Sequence, residues 1–189
     1  MGNIPKIGYG ENRINTAYFF GGPQLAKQTV QYNLGIPIHY YAVVNFQGFE
    51  RIVDTLDGIT IEVEATIYDT KYPDEDYGYQ TIHIPAGQQH MDGETALKYA
   101  RSRHGGSDFS RIRRQQKVLL AIRERAVELG YRLVPKLPSL WDALGDAVDT
   151  DLELKEAMAL VPTALQIGED DLRRGTIDSS MTSPFITST

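Results

Sequence analysis

The chain has 189 residues, 41% of them hydrophobic, which is enough for one hydrophobic core and favours a single domain over residues 1–189. It contains no cysteine, which excludes disulfide bonds and thiolate metal sites. Its 19 Lys and Arg residues against 25 Asp and Glu residues give a net charge of −6, which excludes a uniformly basic nucleic-acid-binding protein.

The sequence contains no segment with the length and apolarity of a membrane span, which requires about 20 residues. Its first residues, 1–6, lack the hydrophobic stretch of a signal peptide. We therefore expect a soluble chain that carries no transmembrane segment and no cleavable leader.

The first third of the chain is predicted to contain a loop, a short helix, a strand and a second helix. Glycine and proline make residues 1–11 a loop, and Gly21-Gly22-Pro23 separates an aromatic segment from the element that follows. Apolar residues recur at helical spacing in two places, and a stretch rich in Tyr and Val between them is typical of a strand. The predicted elements are a helix at 24–34, a strand at 39–46 and a helix at 47–56.

The next segment alternates between predicted strand and predicted loop. Ile59, Ile61 and Val63 alternate with polar residues, which is the pattern of a half-buried strand at 59–65. Residues 67–79 carry four acids and four tyrosines and are predicted to form an exposed loop, although tyrosines stack on sugars and the segment could line a carbohydrate site. Residues 81–84 alternate again and predict a short strand.

The second half of the chain is predicted to be mainly helical. A first helix begins near Gly93 and ends near Arg101, and His104-Gly105-Gly106 breaks it. Ser107 or Asp108 can cap a second helix, which Gly130 ends. Asp149-Thr150-Asp151 is predicted to cap a last helix, and residues 178–189 are predicted to be a frayed tail.

One stretch, residues 97–117, has a charge opposite to that of the rest of the chain. It holds seven cations and one acid, so it carries +6 while the remaining residues carry −12. On the predicted second helix, Asp108, Arg111 and Gln115 fall at three- and four-residue steps and share one face, whereas Arg113 points elsewhere. The asymmetry of charge indicates an anionic ligand.

The chemistry of arginine makes this indication more specific. A guanidinium is planar, permanently charged and offers several donors in a fixed fork, which suits the oxygens of phosphate or diphosphate. The alternative is an exposed basic helix whose arginines pair with nearby acids. The residue types alone leave both interpretations open.

The same stretch resembles the central signature of the LytR-CpsA-Psr family. The resemblance rests on Leu97-Lys98-Tyr99-Ala100-Arg101-Ser102-Arg103, on Asp108-Phe109-Ser110-Arg111 and on Arg113-Arg114-Gln115-Gln116. Further matching segments lie at residues 13–22, 45–49, 53–54, 92–96 and 149–152. The resemblance covers nearly the whole chain.

The resemblance implies a three-layer α/β/α domain with a central mixed sheet, in which a hydrophobic pocket takes a polyprenyl chain and arginines at its mouth hold the phosphates. The alternation of predicted helices and strands independently implies an α/β layer structure. Apolar residues for such a pocket are present, although ordinary core is the simpler explanation for each: Phe19, Phe20, Val43, Phe46, Phe49 and Ile52.

The function implied by the resemblance is transfer of a glycopolymer from a polyprenyl-diphosphate carrier to peptidoglycan or another cell-wall acceptor. Its expected location is the extracytoplasmic face of the cell membrane or the cell wall. Four residues match the family's diphosphate contacts, and two match supporting positions. The diphosphate contacts are Arg101, Arg103, Arg111 and Gln115, and the supporting residues are Asp108 and Arg114. The resemblance assigns no catalytic residue in this chain.

The resemblance also implies a divalent cation, expected to be magnesium in the complete domain. The family's metal-binding aspartates stand in a Gly-x-Asp and an Arg-x-Asp motif that should precede Ile4, and neither motif is present there. We therefore expect a family domain without its amino-terminal segment. No metal ligand is assigned, since Asp54 and Asp57 do not stand in those motifs.

Two other functions stay open. A non-catalytic module that binds polyprenyl phosphate would need the arginines but not the aspartates. The family was first named for transcriptional attenuation, and a basic helix can contact nucleic-acid phosphates. The chain is acidic overall and lacks a helix-turn-helix pair of the usual kind, so we expect no nucleic-acid partner.

Overall fold

The structure, a computed structural model, describes residues 2–3, 11–74, 78–102 and 108–167. The helices are α1 (Thr16–Leu34), α2 (Phe46–Thr55), α3 (Gly93–Arg101), α4 (Asp108–Leu129), α5 (Leu137–Leu144) and α6 (Leu154–Gln166). The strands are β1 (Gly2–Asn3), β2 (Glu11–Asn12), β3 (Ala42–Val44), β4 (Ile59–Val63), β5 (Ile67–Pro73), β6 (Tyr79–Ile84), β7 (Gly87–Met91) and β8 (Val148–Thr150). This mixture of helices and strands confirms the predicted α/β class.

The described strands pair in twos, and each pair is antiparallel: β1 with β2, β3 with β8, β4 with β7 and β5 with β6. The β5–β6 hairpin is nested inside the β4–β7 pair, with Val63 opposite Gly87 and Ile67 opposite Ile84. Within the described ranges, the parallel neighbours expected of the central mixed sheet that the family resemblance implied are not among these pairs. Short connections between successive strands favour antiparallel hairpins, because parallel pairs require a long crossover.

The core lies between these nested strands and the helices α2, α3 and α4. In β4, Ile59, Ile61 and Val63 are buried while Thr60 and Glu62 are exposed, as the alternation predicted. Full burial of each large apolar side chain stabilises the fold by about 1.5–3 kcal/mol. The core cluster contains Val53, Ile59, Ile61, Val63, Ile67, Tyr72, Ile82, Ile84, Met91, Ala96, Tyr99, Ala100, Val118 and Ala121.

Helices α2 and α3 pack closely through Gly93. A Cβ atom at this position would lie 2.4 Å from the carbonyl oxygen of Glu50, so no larger residue fits without a shift of the α2 backbone. Asp54 Oδ1 accepts a hydrogen bond from the Gly93 N–H at 2.8 Å, which ties the end of α2 to the start of α3. The two helices therefore run in opposite directions, and the first residue of α2, Phe46, lies beside the last residue of α3, Arg101.

The prediction of an exposed loop at 67–79 is wrong. Residues 67–73 form β5, and Tyr79 begins β6. Ile67 and Tyr72 are buried in the core, but a register shift between Asp69 and Tyr72 breaks the alternation that would have indicated a strand. Residues 75–77 of the predicted loop lie outside the described ranges.

Two further predictions before residue 60 are wrong in part, and the predicted break at Gly21-Gly22 is present. Residues 1–11 are predicted to be a loop, but Gly2–Asn3 and Glu11–Asn12 pair as β1 and β2, and residues 4–10 of that prediction lie outside the described residues. The predicted helix at 24–34 is the second part of α1, which starts at Thr16 and bends at Gly21 and Gly22, where Gly22 takes a φ of 63°. The predicted strand at 39–46 shortens to β3, because the Asn45 side chain accepts a hydrogen bond from the Gly48 N–H at 2.8 Å and starts α2 at Phe46.

The C-terminal helix does not begin where it was predicted. Residues 148–150 form β8, and Glu153 caps α6 through reciprocal hydrogen bonds with Glu156. Asp151 instead accepts a hydrogen bond from Lys27 Nζ at 2.7 Å and one from the Tyr41 N–H at 2.8 Å. The Lys27 hydrogen bond holds the pKa of Asp151 below its ordinary value.

Helices α3 and α4 agree with the prediction, and α4 ends before Gly130, which takes a φ of 52°. The proposed cap at Ser107 and the predicted tail at 178–189 fall outside the described residues. Across the described ranges, no helix combines the length and apolarity needed to span a bilayer.

Candidate functional site

The end of α3 places Arg101 beside two aromatic side chains, those of Phe46 and Tyr72. The guanidinium carbon lies 4.1 Å from the centroid of the Phe46 ring and 5.4 Å from that of the Tyr72 ring. Arg101 Nη1 also donates a hydrogen bond to the Tyr72 hydroxyl at 3.4 Å. Tyr72 is buried near the end of β5, whereas Phe46 is 52% exposed. The two rings therefore hold a cation at the protein surface in a defined orientation.

A cavity of about 840 Å³ opens beside Arg101, and we call it the arginine cavity. Among the described residues that line it, three carry a positive charge and one is a carboxylate: Lys71, Arg101 and Arg111 against Asp69. The remaining lining residues are Phe46, Tyr72, Pro73, Tyr79 and Gln115. The wall is thus cationic, with an amide and aromatic surface beside the charges.

A buried serine connects the three elements that form this cavity. Ser102 follows α3 and is 1% exposed. Its hydroxyl donates to Asp69 Oδ2 on β5 at 3.1 Å, and its carbonyl oxygen accepts a hydrogen bond from Arg114 Nη2 on α4. Asp69 Oδ1 also accepts from the Lys71 N–H at 2.9 Å. These contacts fix the end of α3, and with it Arg101, relative to β5 and α4.

Three of the four residues matched to diphosphate contacts surround the same cavity. Arg101 reaches it from α3, and Arg111 and Gln115 reach it from α4. Arg103 lies outside the described residues. The structure therefore brings two arginines and the amide together, and their role as diphosphate contacts stays a prediction.

The two residues matched to supporting positions lie differently. Arg114 does not line the arginine cavity, because its guanidinium turns inward to the Ser102 carbonyl, and burial lowers its pKa. For Asp108 the structure describes only its place at the start of α4. Arg113 lines a separate cavity beside Glu64 and Thr66, as its helical position predicted.

Sequence reasoning missed Phe46, Asp69 and Tyr72 as parts of the site. Phe46 belongs to a segment that resembles the family, and the sequence indicates only a core or pocket position for it. Asp69 and Tyr72 fall in the segment predicted to be a loop, where the tyrosines indicate only a possible sugar-binding surface. The tyrosines of this segment therefore indicate a binding surface. Their position beside Arg101 becomes predictable only once residues 67–73 are recognised as a strand.

The described side chains do not form a divalent-cation site by themselves. Within the described ranges, no three His, Asp or Glu side chains cluster as metal ligands would. Asp69 supplies the one carboxylate among the lining residues of the arginine cavity, and both of its oxygens already accept hydrogen bonds. Magnesium stays a prediction of the family resemblance, and no chemical step is assigned to it.

Comparison with known proteins identifies the domain. The sequence model of the LytR_cpsA_psr family matches residues 1–185. The chain belongs to the LytR-CpsA-Psr family. Regulatory protein MsrR of Staphylococcus aureus is 39% identical over 148 residues, which are 77% of this chain and 42% of MsrR. Polyisoprenyl-teichoic acid--peptidoglycan teichoic acid transferase TagT of Bacillus subtilis is 32% identical over 160 residues, 85% of this chain and 48% of TagT.

Solved structures of relatives share the fold of this LytR-CpsA-Psr domain. Bacillus subtilis TagV matches with a TM-score of 0.73 and 27% identity, over 90% of this chain and 64% of TagV. TagT bound to LIIa-WTA matches with a TM-score of 0.70 and 31% identity, over 88% of this chain and 60% of TagT. The alignments with MsrR and TagT span less than half the length of each curated relative.

Proposed function

We propose that this domain binds a polyprenyl-diphosphate-linked glycopolymer and transfers the glycopolymer to peptidoglycan or another cell-wall acceptor, outside the cytoplasmic membrane. The observation that carries the proposal is the arginine cavity, where Arg101 and Arg111 from two helices face the same space beside Gln115. The similarity to TagT, a teichoic acid transferase with structures bound to LIIa-WTA and LI-WTA, supports the proposal.

The geometry of the cavity suits a diphosphate better than a single phosphate. Two guanidinium groups on separate helices can each engage a different phosphoryl group with paired N–H donors. Lys71 adds a third charge, and the Gln115 amide can donate without adding charge. Because Phe46 and Tyr72 already order Arg101, less side-chain entropy is lost when the anion binds.

The same groups can assist phosphoryl transfer. The acceptor hydroxyl oxygen forms a bond to the phosphorus that carries the glycan, and the bond from that phosphorus to the bridging oxygen breaks. Polyprenyl monophosphate leaves with the electron pair, and the hydroxyl proton passes to solvent. Negative charge grows on the leaving phosphate, where Arg101 and Arg111 can neutralise it.

Calorimetric titration with farnesyl diphosphate, a short polyprenyl diphosphate, tests the binding step. One charge-assisted hydrogen bond contributes about 1.5–3 kcal/mol, so Arg111→Ala should weaken binding roughly tenfold or more. Arg113→Ala removes the same charge from a position outside the cavity and should leave the dissociation constant unchanged. Equal affinity of the wild-type domain and Arg111→Ala would refute the assignment of the cavity.

A transfer assay distinguishes between a transferase and a non-catalytic binding module. The domain is incubated with a polyprenyl-diphosphate-linked glycopolymer and peptidoglycan, with and without magnesium, and covalently attached glycopolymer is measured. Attachment that is lost in Arg111→Ala supports the transferase. Tight binding of farnesyl diphosphate without attachment under either condition would identify a non-catalytic polyprenyl-phosphate-binding module instead.

A further inference from the structure

A second cavity, of about 460 Å³, meets the arginine cavity at Arg101. Phe46, Tyr72, Pro73 and Arg101 line both cavities. The Arg101 guanidinium and the rings of Phe46 and Tyr72 therefore lie where the two cavities meet. A group bound in the second cavity would lie next to the same cation that faces the arginine cavity.

The second cavity has the opposite chemical character. It is lined by three carboxylates, those of Glu50, Asp74 and Glu94, and by the amides of Gln47 and Gln80. We call it the carboxylate cavity. The described lining residues also include two cations, Lys98 and Arg101, so carboxylates outnumber cations among them.

Part of this charge is already paired. Lys98 Nζ binds Glu94 Oε1 at 2.6 Å, and Asp74 Oδ1 accepts a hydrogen bond from the Gly78 N–H at 2.6 Å. Because carboxylates outnumber cations among the described lining residues, this cavity disfavours a second phosphate or another anion.

The groups in this cavity suit a neutral saccharide. Carboxylates accept hydrogen bonds from hydroxyls, and an amide both donates and accepts, so together they can pair with neighbouring hydroxyls of a sugar ring. Phe46, which is 52% exposed, adds apolar surface for the ring itself. Small-ligand sites commonly combine such an aromatic wall with a few directed polar groups.

We propose that the carboxylate cavity binds the saccharide of the cell-wall acceptor and presents its hydroxyl to the diphosphate across Arg101. This assignment rests on the proposed transfer function. Transfer between two substrates requires two sites that meet at the reacting phosphorus, and these two cavities meet at Arg101, the side chain proposed to bind the diphosphate. The acceptor hydroxyl oxygen then forms the new phosphorus–oxygen bond while polyprenyl monophosphate leaves on the arginine side with the electron pair and the proton passes to solvent.

The test uses two probes on the same protein. Binding of chitotetraose, a neutral N-acetylglucosamine oligosaccharide, is followed by chemical-shift changes in NMR, and farnesyl diphosphate is titrated separately by calorimetry. Gln80→Ala removes one or two hydrogen bonds and should weaken chitotetraose binding about three- to tenfold while leaving farnesyl diphosphate binding unchanged. Gln88→Ala is the matched control, because Gln88 lies on β7 and lines neither cavity.

The outcomes separate this proposal from the function on which it rests. If farnesyl diphosphate binds but chitotetraose does not, or if Gln80→Ala and the wild-type domain bind chitotetraose equally, the acceptor site is overturned and the diphosphate site stands. If chitotetraose binding falls with Gln80→Ala while farnesyl diphosphate fails to bind, the saccharide site stands and the transfer function is overturned. Shift changes centred on Gln47 and Gln80 support the assigned location, and changes centred on Gln115 refute it.

Discussion

Replacing Phe46 with alanine tests how Arg101 is held for binding. In the wild-type domain the guanidinium carbon lies 4.1 Å from the centroid of the Phe46 ring and 5.4 Å from that of the Tyr72 ring. Of these two aromatic contacts to the Arg101 guanidinium, the Phe46→Ala variant keeps the one from Tyr72. Because Phe46 is 52% exposed, its removal opens no buried cavity, and the free energy of unfolding should change by no more than about 1 kcal/mol.

The expected loss of affinity follows from the ordering of Arg101. The cation–π contact, worth about 0.5–1 kcal/mol at an exposed site, is made both before and after the ligand binds, so it affects affinity only by holding the side chain in place. Ordering a free arginine side chain on binding costs about 0.5–1.5 kcal/mol, which the wild-type domain has largely met before the ligand arrives. If this ordering is lost, farnesyl diphosphate should bind roughly 2- to 13-fold more weakly to Phe46→Ala.

Calorimetric titration of four proteins checks this reasoning: the wild-type domain, Phe46→Ala, Arg101→Ala and the double variant. The ring acts through the guanidinium, so the double variant should lose no more affinity than Arg101→Ala alone. Phe19→Ala is the control, because Phe19 is exposed and lines neither cavity. Additive losses in the double variant would show that Phe46 contacts the ligand directly, and the reasoning would be wrong.

Three further predictions concern the stability of the domain. Ser102→Ala removes the buried hydroxyl that donates to Asp69 and should lower the free energy of unfolding by about 1–2 kcal/mol in a urea titration; an unchanged midpoint would contradict this. Gly93→Ala forces a Cβ atom against the α2 backbone and should destabilise the domain by about 1–3 kcal/mol in thermal unfolding, whereas an unchanged melting temperature would show that α2 moves freely. The hydrogen bond from Lys27 lowers the pKa of Asp151 in the folded protein. The ionised Asp151 carboxylate therefore stabilises the fold at pH values above its unfolded-state pKa of about 3.9. This stabilisation is lost as the pH falls through the lower folded-state pKa. Asp151→Asn should therefore be less stable than the wild-type domain at pH 7, and a difference that grows towards pH 2 would contradict the sign.

Regular patterns made several elements predictable from the sequence. Strict alternation identified β4, and helical spacing with terminal glycines identified α3 and α4. β5 was missed because its register shift disrupts the alternation between Asp69 and Tyr72. β8 was missed because two aspartates around Thr150 are typical of a helix cap, whereas here Thr150 pairs with Ala42 across the chain.

The candidate site was predictable where it depends on one helix. The spacing along α4 separated Arg111 and Gln115 from Arg113, and the structure places these residues at different cavities. The aromatic partners of Arg101 were not predictable, because Phe46 and Tyr72 come from distant elements. They reach Arg101 only through the packing of α2 against α3 and of β5 against the core.

The pairing of β3 with β8 has a consequence for the order of folding. Thr150 donates its hydroxyl to the Tyr41 carbonyl across a separation of 109 residues, whereas the β5–β6 hairpin joins residues close in the chain. Closing the longer loop costs about 2–3 kcal/mol more in chain entropy. The β3–β8 ladder should therefore form after the hairpin and its helices have assembled. Substitutions in β8 are then expected mainly to accelerate unfolding, while substitutions in β5 slow folding.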